Sequence, residues 1–225
     1  MKNILIPTAF ESDTLDAMKI ASGLLNPFSG NMVLTTVSDL SDSIQELLFL
    51  SPDEHVDQRK RMDVIKNWKR YREKRAAALS LGIQEHHQFG LSRPLLNSVL
   101  EQFNIDLVIV PASFQGSVIE IHKFFVELLY RSDCPIMLMP FESHSGRKVK
   151  RALLLDGDDA SVLDTIKRLP LDIVHQSLIE DNNTQSLRLL IDALDIELVV
   201  QPKRKYVNIQ RDPIVVALGV PVLSV

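Results

Sequence analysis

Apolar residues in this chain fall in short unbroken runs separated by longer stretches of helical spacing. Ile4–Ile6, Leu107–Val110, Ile136–Met139 and Leu153–Leu155 are continuous rather than alternating. Strands read this way when both faces are covered, as in a parallel sheet flanked by helices. Leu15, Met18, Ala21 and Leu25 recur at helical spacing behind Ser12 or Asp13, either of which can cap the helix, with Asp16 in its first turn. Asn26-Pro27 and Ser29-Gly30-Asn31 stop that helix, and Met32–Val37 is the second strand. A helix from Arg93 or Pro94 to Phe103 gathers Leu95, Leu96, Val99, Leu100 and Phe103. Another, over Val118–Arg131, gathers Ile121, Phe124, Phe125, Leu128 and Leu129. Strands alternating with helices predict an α/β fold with right-handed crossovers.

The pattern is written twice. Lys2–Ile6 and Lys150–Leu155 each open a strand followed by a polar turn and a helix-period segment. Asn104-Ile105-Asp106-Leu107-Val108-Ile109-Val110-Pro111 returns as Asp195-Ile196-Glu197-Leu198-Val199-Val200-Gln201-Pro202. Cys134-Pro135-Ile136-Met137-Leu138-Met139 returns as Val220-Pro221-Val222-Leu223-Ser224-Val225. An internal repeat constrains the fold more than any single residue. It divides the chain into a first unit over residues 1–141 and a shortened second over 148–225, joined by the polar stretch Phe141–Arg147. The second passes from Asp172–Ile179 almost directly to Ser186–Leu194, so one strand or crossover is missing there.

Only the first unit carries an insertion, residues 40–81. Its later part is a long helix with Met62, Ile65, Trp68, Ala76 and Leu79 as the expected buried face. The opposite face, within residues 59–75, is basic: Arg59, Lys60, Arg61, Lys66, Lys69, Arg70, Arg72, Lys74 and Arg75. Asp57, Asp63 and Glu73 partly offset it, so a solvated face is the plain reading. As a functional patch it would meet an acidic protein, nucleic acid or anionic lipid. Trp68 is committed to the core, so a base-stacking platform is not evident.

Composition narrows the classes. With 225 residues, 45% hydrophobic and 24% charged, the chain can bury a core. A net charge of -4 argues against general affinity for nucleic acid. No apolar run approaches the roughly 18 residues of a membrane span, and the chain opens directly on a strand pattern, so a cytoplasmic protein without a signal peptide is expected. The one cysteine, Cys134, starts a buried strand and reads as a small core hydrophobe. His86 and His87 adjoin within a strand and face opposite ways, so they cannot chelate one metal together. His55, His122, His144 and His175 lack ligand spacing, and no metal site is expected.

Lys2-Asn3-Ile4-Leu5-Ile6-Pro7-Thr8-Ala9-Phe10-Glu11-Ser12 resembles the opening of a universal stress protein. Asp106–Pro111 and Asp133–Met139 resemble that family's fourth and closing strands, and Leu155-Asp156-Gly157-Asp158-Asp159 a variant of its opening. The resemblance covers the chain apart from the basic insertion. It implies two doubly wound parallel-sheet lobes of strand order 3-2-1-4-5, the second shortened. Family members pair through their last strands, so a tandem chain would form an internal pseudo-dimer, residues 135–139 against 221–225.

In such sheets ligands bind beyond the carboxyl ends of strands where the winding reverses, here between strands one and four. Thr8–Glu11 and Pro111–Ser117 should flank that crevice. The family's nucleotide-binding members place there a glycine-rich loop whose amides cradle phosphate. Laid on this sequence, the glycine positions fall on Pro111, Phe114 and Phe124, with Phe125 at the hydroxyl position and Ala9 at the acidic one. Gly116-Ser117 is the only small pair nearby. Each hydrogen bond to a charged group is worth roughly 1.5–3 kcal/mol. Losing about three removes most of the ~8 kcal/mol that micromolar binding needs, so the first unit is not expected to bind ATP in the family manner.

In the second unit Asp156 stands at the acidic position beside Gly157 and Asp158, while Gln201-Pro202-Lys203-Arg204-Lys205-Tyr206 replaces the glycine-rich loop. The plain reading is that Asp156 and Asp158 cap the next helix and Lys203–Lys205 are solvated. The alternative is a nucleotide or small-anion site, for ATP or AMP, built from Asp156, Gly157, Asp158, Lys203 and Arg204. No nucleophile–base pair, metal set or carboxylate dyad emerges, so catalysis is not expected, and nucleotide hydrolysis is the remotest reading. The resemblance implies a stress-associated binding or scaffold protein with a decayed nucleotide site. The basic helix would be its surface for a further copy or another protein.

Overall fold

The computed structural model describes residues 1–25, 29–40, 57–74, 81–141, 149–155, 160–176, 184–203 and 218–225. Along the chain lie β1 (Asn3–Pro7), α1 (Thr14–Leu24), β2 (Asn31–Ser38), α2 (Gln58–Lys74), β3 (Gly82–Phe89) and α3 (Arg93–Gln102). Then come β4 (Leu107–Val110), the one-turn α4 (Ala112–Gln115), α5 (Glu120–Tyr130) and β5 (Ile136–Leu138). The remainder is β6 (Arg151–Leu155), α6 (Ala160–Lys167), β7 (Asp172–Gln176), α7 (Thr184–Leu194), β8 (Leu198–Gln201) and β9 (Val222–Ser224).

These strands form one sheet of nine, in the order β3-β2-β1-β4-β5-β9-β8-β6-β7. It begins 3-2-1-4-5, as the sequence resemblance implies. Every neighbouring pair is parallel except β5 and β9, which run antiparallel with Ile136 opposite Ser224, Met137 opposite Leu223 and Leu138 opposite Val222.

Two apolar layers sandwich the sheet. Ile4, Ile6, Leu107, Ile109, Met137, Ala152, Leu154, Leu198, Val200 and Leu223 face the layer containing α1 and Trp68. Their strand neighbours Leu5, Val108, Val110, Ile136, Leu138, Leu153, Leu155, Val199 and Val222 face the layer built from α3, α5 and Ile191 of α7. Both faces of β1, β4, β5, β6, β8 and β9 are covered, which is why those strands read as unbroken apolar runs, whereas the rim strand β3 is part-exposed and polar. Both layers continue without interruption past the β5–β9 junction.

The written repeat recurs in hydrogen bonds. Asn104 and Asp195 each end a helix in the left-handed conformation, at φ 46° and 53°. The next amide, of Ile105 or Ile196, donates to Leu100 O or Ile191 O at 2.9 Å. This is the six-to-one bond of a Schellman turn. Asp106 and Glu197 then take the same role: Asp106 accepts from the Lys2 and Asn3 amides, Glu197 from those of Lys150 and Arg151. Each carboxylate satisfies backbone donors at the start of the neighbouring strand, which have no ladder partner there.

Three helix faces differ from expectation, that of α3 in that Leu95 is 42% exposed while Leu96 and Val99 are buried. In α2 the buried residues are Val64 and Trp68, with Ile65 and Tyr71 packed beside them, whereas Met62 is 64% exposed. Val64, Trp68 and Tyr71 define a stripe displaced from the Met62–Ile65 line, and Trp68 stacks obliquely on Tyr71 with centroids 5.5 Å apart. Ala76 and Leu79 lie outside the described residues. In α5, Phe124 is 41% exposed and His122 is buried in its stead. Truncating Trp68 to Ala should cost about 3–5 kcal/mol and Met62→Ala less than about 0.5 kcal/mol, as read by urea denaturation.

Candidate functional site

The crevice where the winding reverses is bounded by the β1–α1 turn and by the segment after β4. Both are held from within. Thr8 is buried, and its Oγ1 accepts from the Phe10 amide at 2.7 Å and shares a proton with Thr14 Oγ1 at 2.8 Å. Phe10 sits at φ 58°, a left-handed conformation costly for a bulky side chain. Its ring is buried in the α1-side layer, and that burial, with the Thr8 bond, holds the turn closed. Ala9 supplies no carboxylate at the acidic position.

After β4 the chain does not form an open loop. Pro111 contributes no N–H and is followed directly by the single turn of α4. Asp13 reaches across the crevice to this turn. Its Oδ2 accepts from the Ser113 amide at 2.7 Å and its Oδ1 from Ser113 Oγ at 2.6 Å. Local sequence rules place Asp13 at the cap of its own helix, yet its side chain makes no cap bond there. A carboxylate of the protein thus occupies both the amide and the hydroxyl of Ser113.

Phe114, at a glycine position of the family pattern, does not project into the crevice. Its ring is buried in the α5-side layer, stacked on His122 at 4.3 Å and edge-on to Phe125 at 5.9 Å. Of the two phenylalanines at glycine positions of the family pattern, Phe114 is buried beneath the turn and Phe124 is 41% exposed, so they do not fill one space together. Gln115 ties the same turn to β4 and β5, donating to Val110 O and Met139 O, each at 2.9 Å. Ser117 Oγ pairs with His122 Nδ1 at 2.9 Å. Burial pushes the His122 imidazole below its usual pKa, against hydrogen bonding to the Val37 carbonyl and the charge of Asp39. Neutral His122 is therefore a packing and hydrogen-bonding element. At the rim, Lys60 of α2 pairs with Glu11 at 2.6 Å, and this hydrogen-bonded carboxylate raises the Lys60 pKa. Arg61 pairs with Glu85 through Nε at 2.6 Å and Nη2 at 3.2 Å. Two members of the basic face are thus spent on the protein itself.

In the second half Asp156, Gly157, Asp158 and Arg204 lie outside the described residues, so only Lys203 can be placed. It is neither solvated nor poised for an anion. Its Nζ donates to Ser132 O and Cys134 O, each at 2.6 Å, and lies 3.4 Å from Leu129 O. These carbonyls belong to the end of α5 and the approach to β5, where cations are favoured. Nothing local in the sequence signals this partner, which is 69–74 residues away. Cys134 beside it has its thiol pushed up to about 12 by burial, so it carries no thiolate at neutral pH. His86 packs on Phe103, and His87 bonds Thr36 Oγ1 at 2.6 Å. Among the described residues no group of three metal-ligating side chains occurs, and no helix is long and apolar enough to cross a membrane.

Replacing Asp13 with Ala leaves the Ser113 amide and hydroxyl without their acceptor. Asp13→Ala should lower stability by about 1–3 kcal/mol and speed amide exchange at Ser113 in hydrogen-exchange measurements. Asp13→Asn, which keeps one acceptor oxygen, should fall between.

No protein-family model matches this sequence, and neither does any curated protein. Solved structures do. A functionally unknown protein of Pseudomonas aeruginosa PAO1 aligns over 100% of this chain and 92% of its own, at 11% identity and a TM-score of 0.55. A structure from Pseudomonas aeruginosa UCBPP-PA14, given as a universal stress protein, aligns over 100% and 93%, at 11% identity and a TM-score of 0.54. Identities this low speak of architecture and not of activity. With the strand order 3-2-1-4-5 and the reversal point between β1 and β4, the chain has the fold of the universal stress proteins.

Proposed function

We propose that this chain is a non-catalytic binding or scaffold protein of universal stress protein type, a tandem of two such units whose first unit has given up nucleotide binding. The observation that carries this reading is the bond pair from Ser113 to Asp13 at 2.7 and 2.6 Å. With Pro111 lacking an amide and Phe114 rooted in the core, the Ser113 amide and hydroxyl are satisfied by Asp13 without a ligand. The tandem reading is supported by the matched turns at Asn104 and Asp195, the matched carboxylates Asp106 and Glu197, and the antiparallel meeting of β5 with β9. In that reading the β5–β9 pairing is an internal pseudo-dimer contact between 135–139 and 221–225. Among the described residues the second unit has no counterpart of β3, in keeping with one missing strand or crossover. The exposed cations Arg59, Lys66, Lys69, Arg70 and Lys74 supply the surface for a protein partner.

Calorimetric titration with ATP, ADP and AMP tests this reading. The expected outcome is no saturable heat at micromolar ligand. Micromolar saturable binding overturns the loss of nucleotide affinity. Its abolition by Asp156→Ala would assign it to the second unit, and its survival there to the first.

A further inference from the structure

We propose that the outward face of α2 docks one acidic α-helix of a partner protein, laid antiparallel along it. The inference deepens the scaffold reading above and rests on it. α2 holds eight lysines and arginines against two acidic residues, whereas the whole chain holds 25 against 29. The remainder of the molecule is therefore acidic, and positive charge is gathered on this one helix.

Part of that charge is already committed. Lys60 and Arg61 pair with Glu11 and Glu85, and Arg72 donates to Leu81 O at 3.5 Å. Arg59, Lys66, Lys69 and Arg70 are exposed, and among the described residues none of them has an ion pair. At 3.6 residues per turn Arg59, Lys66 and Arg70 fall within about 40° of one another, on the side away from Val64 and Trp68. Along the axis they stand about 10.5 and 6 Å apart. An antiparallel helix with carboxylates at i, i+4 and i+11 repeats that row at the same rise, all three on one side, and brings opposite dipole ends together. Met62, 64% exposed in the gap between Arg59 and Lys66, gives such a partner one apolar contact.

Two carboxylates of α2 itself argue against broader polyanions. Asp63 and Glu73, both exposed, flank the row on opposite sides, each about 40° from it. A flat anionic bilayer or a phosphate backbone covering the row meets both of them, and beyond them the acidic remainder of the chain. A helix ridge touches the row alone and leaves Asp63 and Glu73 in water. Met62 is the one large apolar side chain exposed among the described residues of α2, too little to anchor in lipid. Trp68 and Tyr71 pack against the core, so no ring is offered to a base.

The probe is a stapled helical peptide of about 15 residues, alanine and glutamine with glutamates at i, i+4 and i+11 and a leucine at i+8, opposite Met62. Stapling removes the ordering cost of a free peptide. Binding to the intact chain is followed by fluorescence anisotropy. Saturable binding is expected at about 20 mM salt, weakened about fivefold at about 150 mM. The double variant Lys66→Glu, Arg70→Glu should weaken it at least about tenfold, and Lys60→Ala, outside the row, by less than about twofold. Absence of saturable binding overturns the proposal. So does equal binding of a peptide of the same composition with its glutamates moved off the row, or tighter binding of a phosphatidylserine vesicle or a DNA duplex than of the peptide. The salt and peptide comparisons are read on the unaltered chain and stand whether or not the double variant folds. A failed peptide titration removes α2 as the docking surface and leaves the nucleotide titration of the scaffold reading as it was.

Discussion

At the centre of the sheet, Ile136–Leu138 of β5 run against Val222–Ser224 of β9, and the nine strands are one body because of that junction. Met137 and Leu223 are opposite one another and wholly buried, so the junction is a piece of core rather than a surface contact. Parallel strands on either side bring their helices to common faces, and two apolar layers pass unbroken from one half to the other. Lys203 adds a polar tie on the same line, from β8 to the carbonyls that close α5. Among the described residues the second half contributes four strands to the first half's five, and its strands share both apolar layers with the first.

The candidate crevice is the other place where local rules give way. Its donors are consumed by Asp13, its turn is rooted through Phe114, and its opposite wall is fixed by Thr8 and a strained Phe10. The neighbouring basic helix contributes Lys60 and Arg61 to ion pairs with Glu11 and Glu85. Its charge is thus partly structural, and the outward residues Arg59, Lys66, Lys69 and Arg70 remain as its surface.

Much of the architecture is legible in the residues, and the reason is physical. Strands buried on both faces must be apolar throughout, so Leu107–Val110 and Ile136–Leu138 announce themselves. The helix from Arg93 is framed by Ser92, whose Oγ accepts from the Leu95 amide, and by Pro94 in its first turn. The phase of a mostly charged helix is another matter. Trp68 belongs equally to a stripe through Met62 and Ile65 or to one through Val64 and Tyr71, and packing against α1 decides between them. The site is least legible. Asp13 obeys a local capping rule on paper, yet its carboxylate answers a serine 100 residues away. Lys203 reads as one of three solvated cations until the chain is folded around it.

Since β5 and β9 pair with each other, the sheet formed by the described residues has its two rims at β3 and β7. Each of those rims bears charge, Glu85 on β3 and Asp172 on β7, both exposed. Charged rims resist the register of backbone bonds that an incoming chain would need. With its two innermost strands spent on each other, the sheet keeps its outer rims, and not its middle, as the places where a further strand could be added.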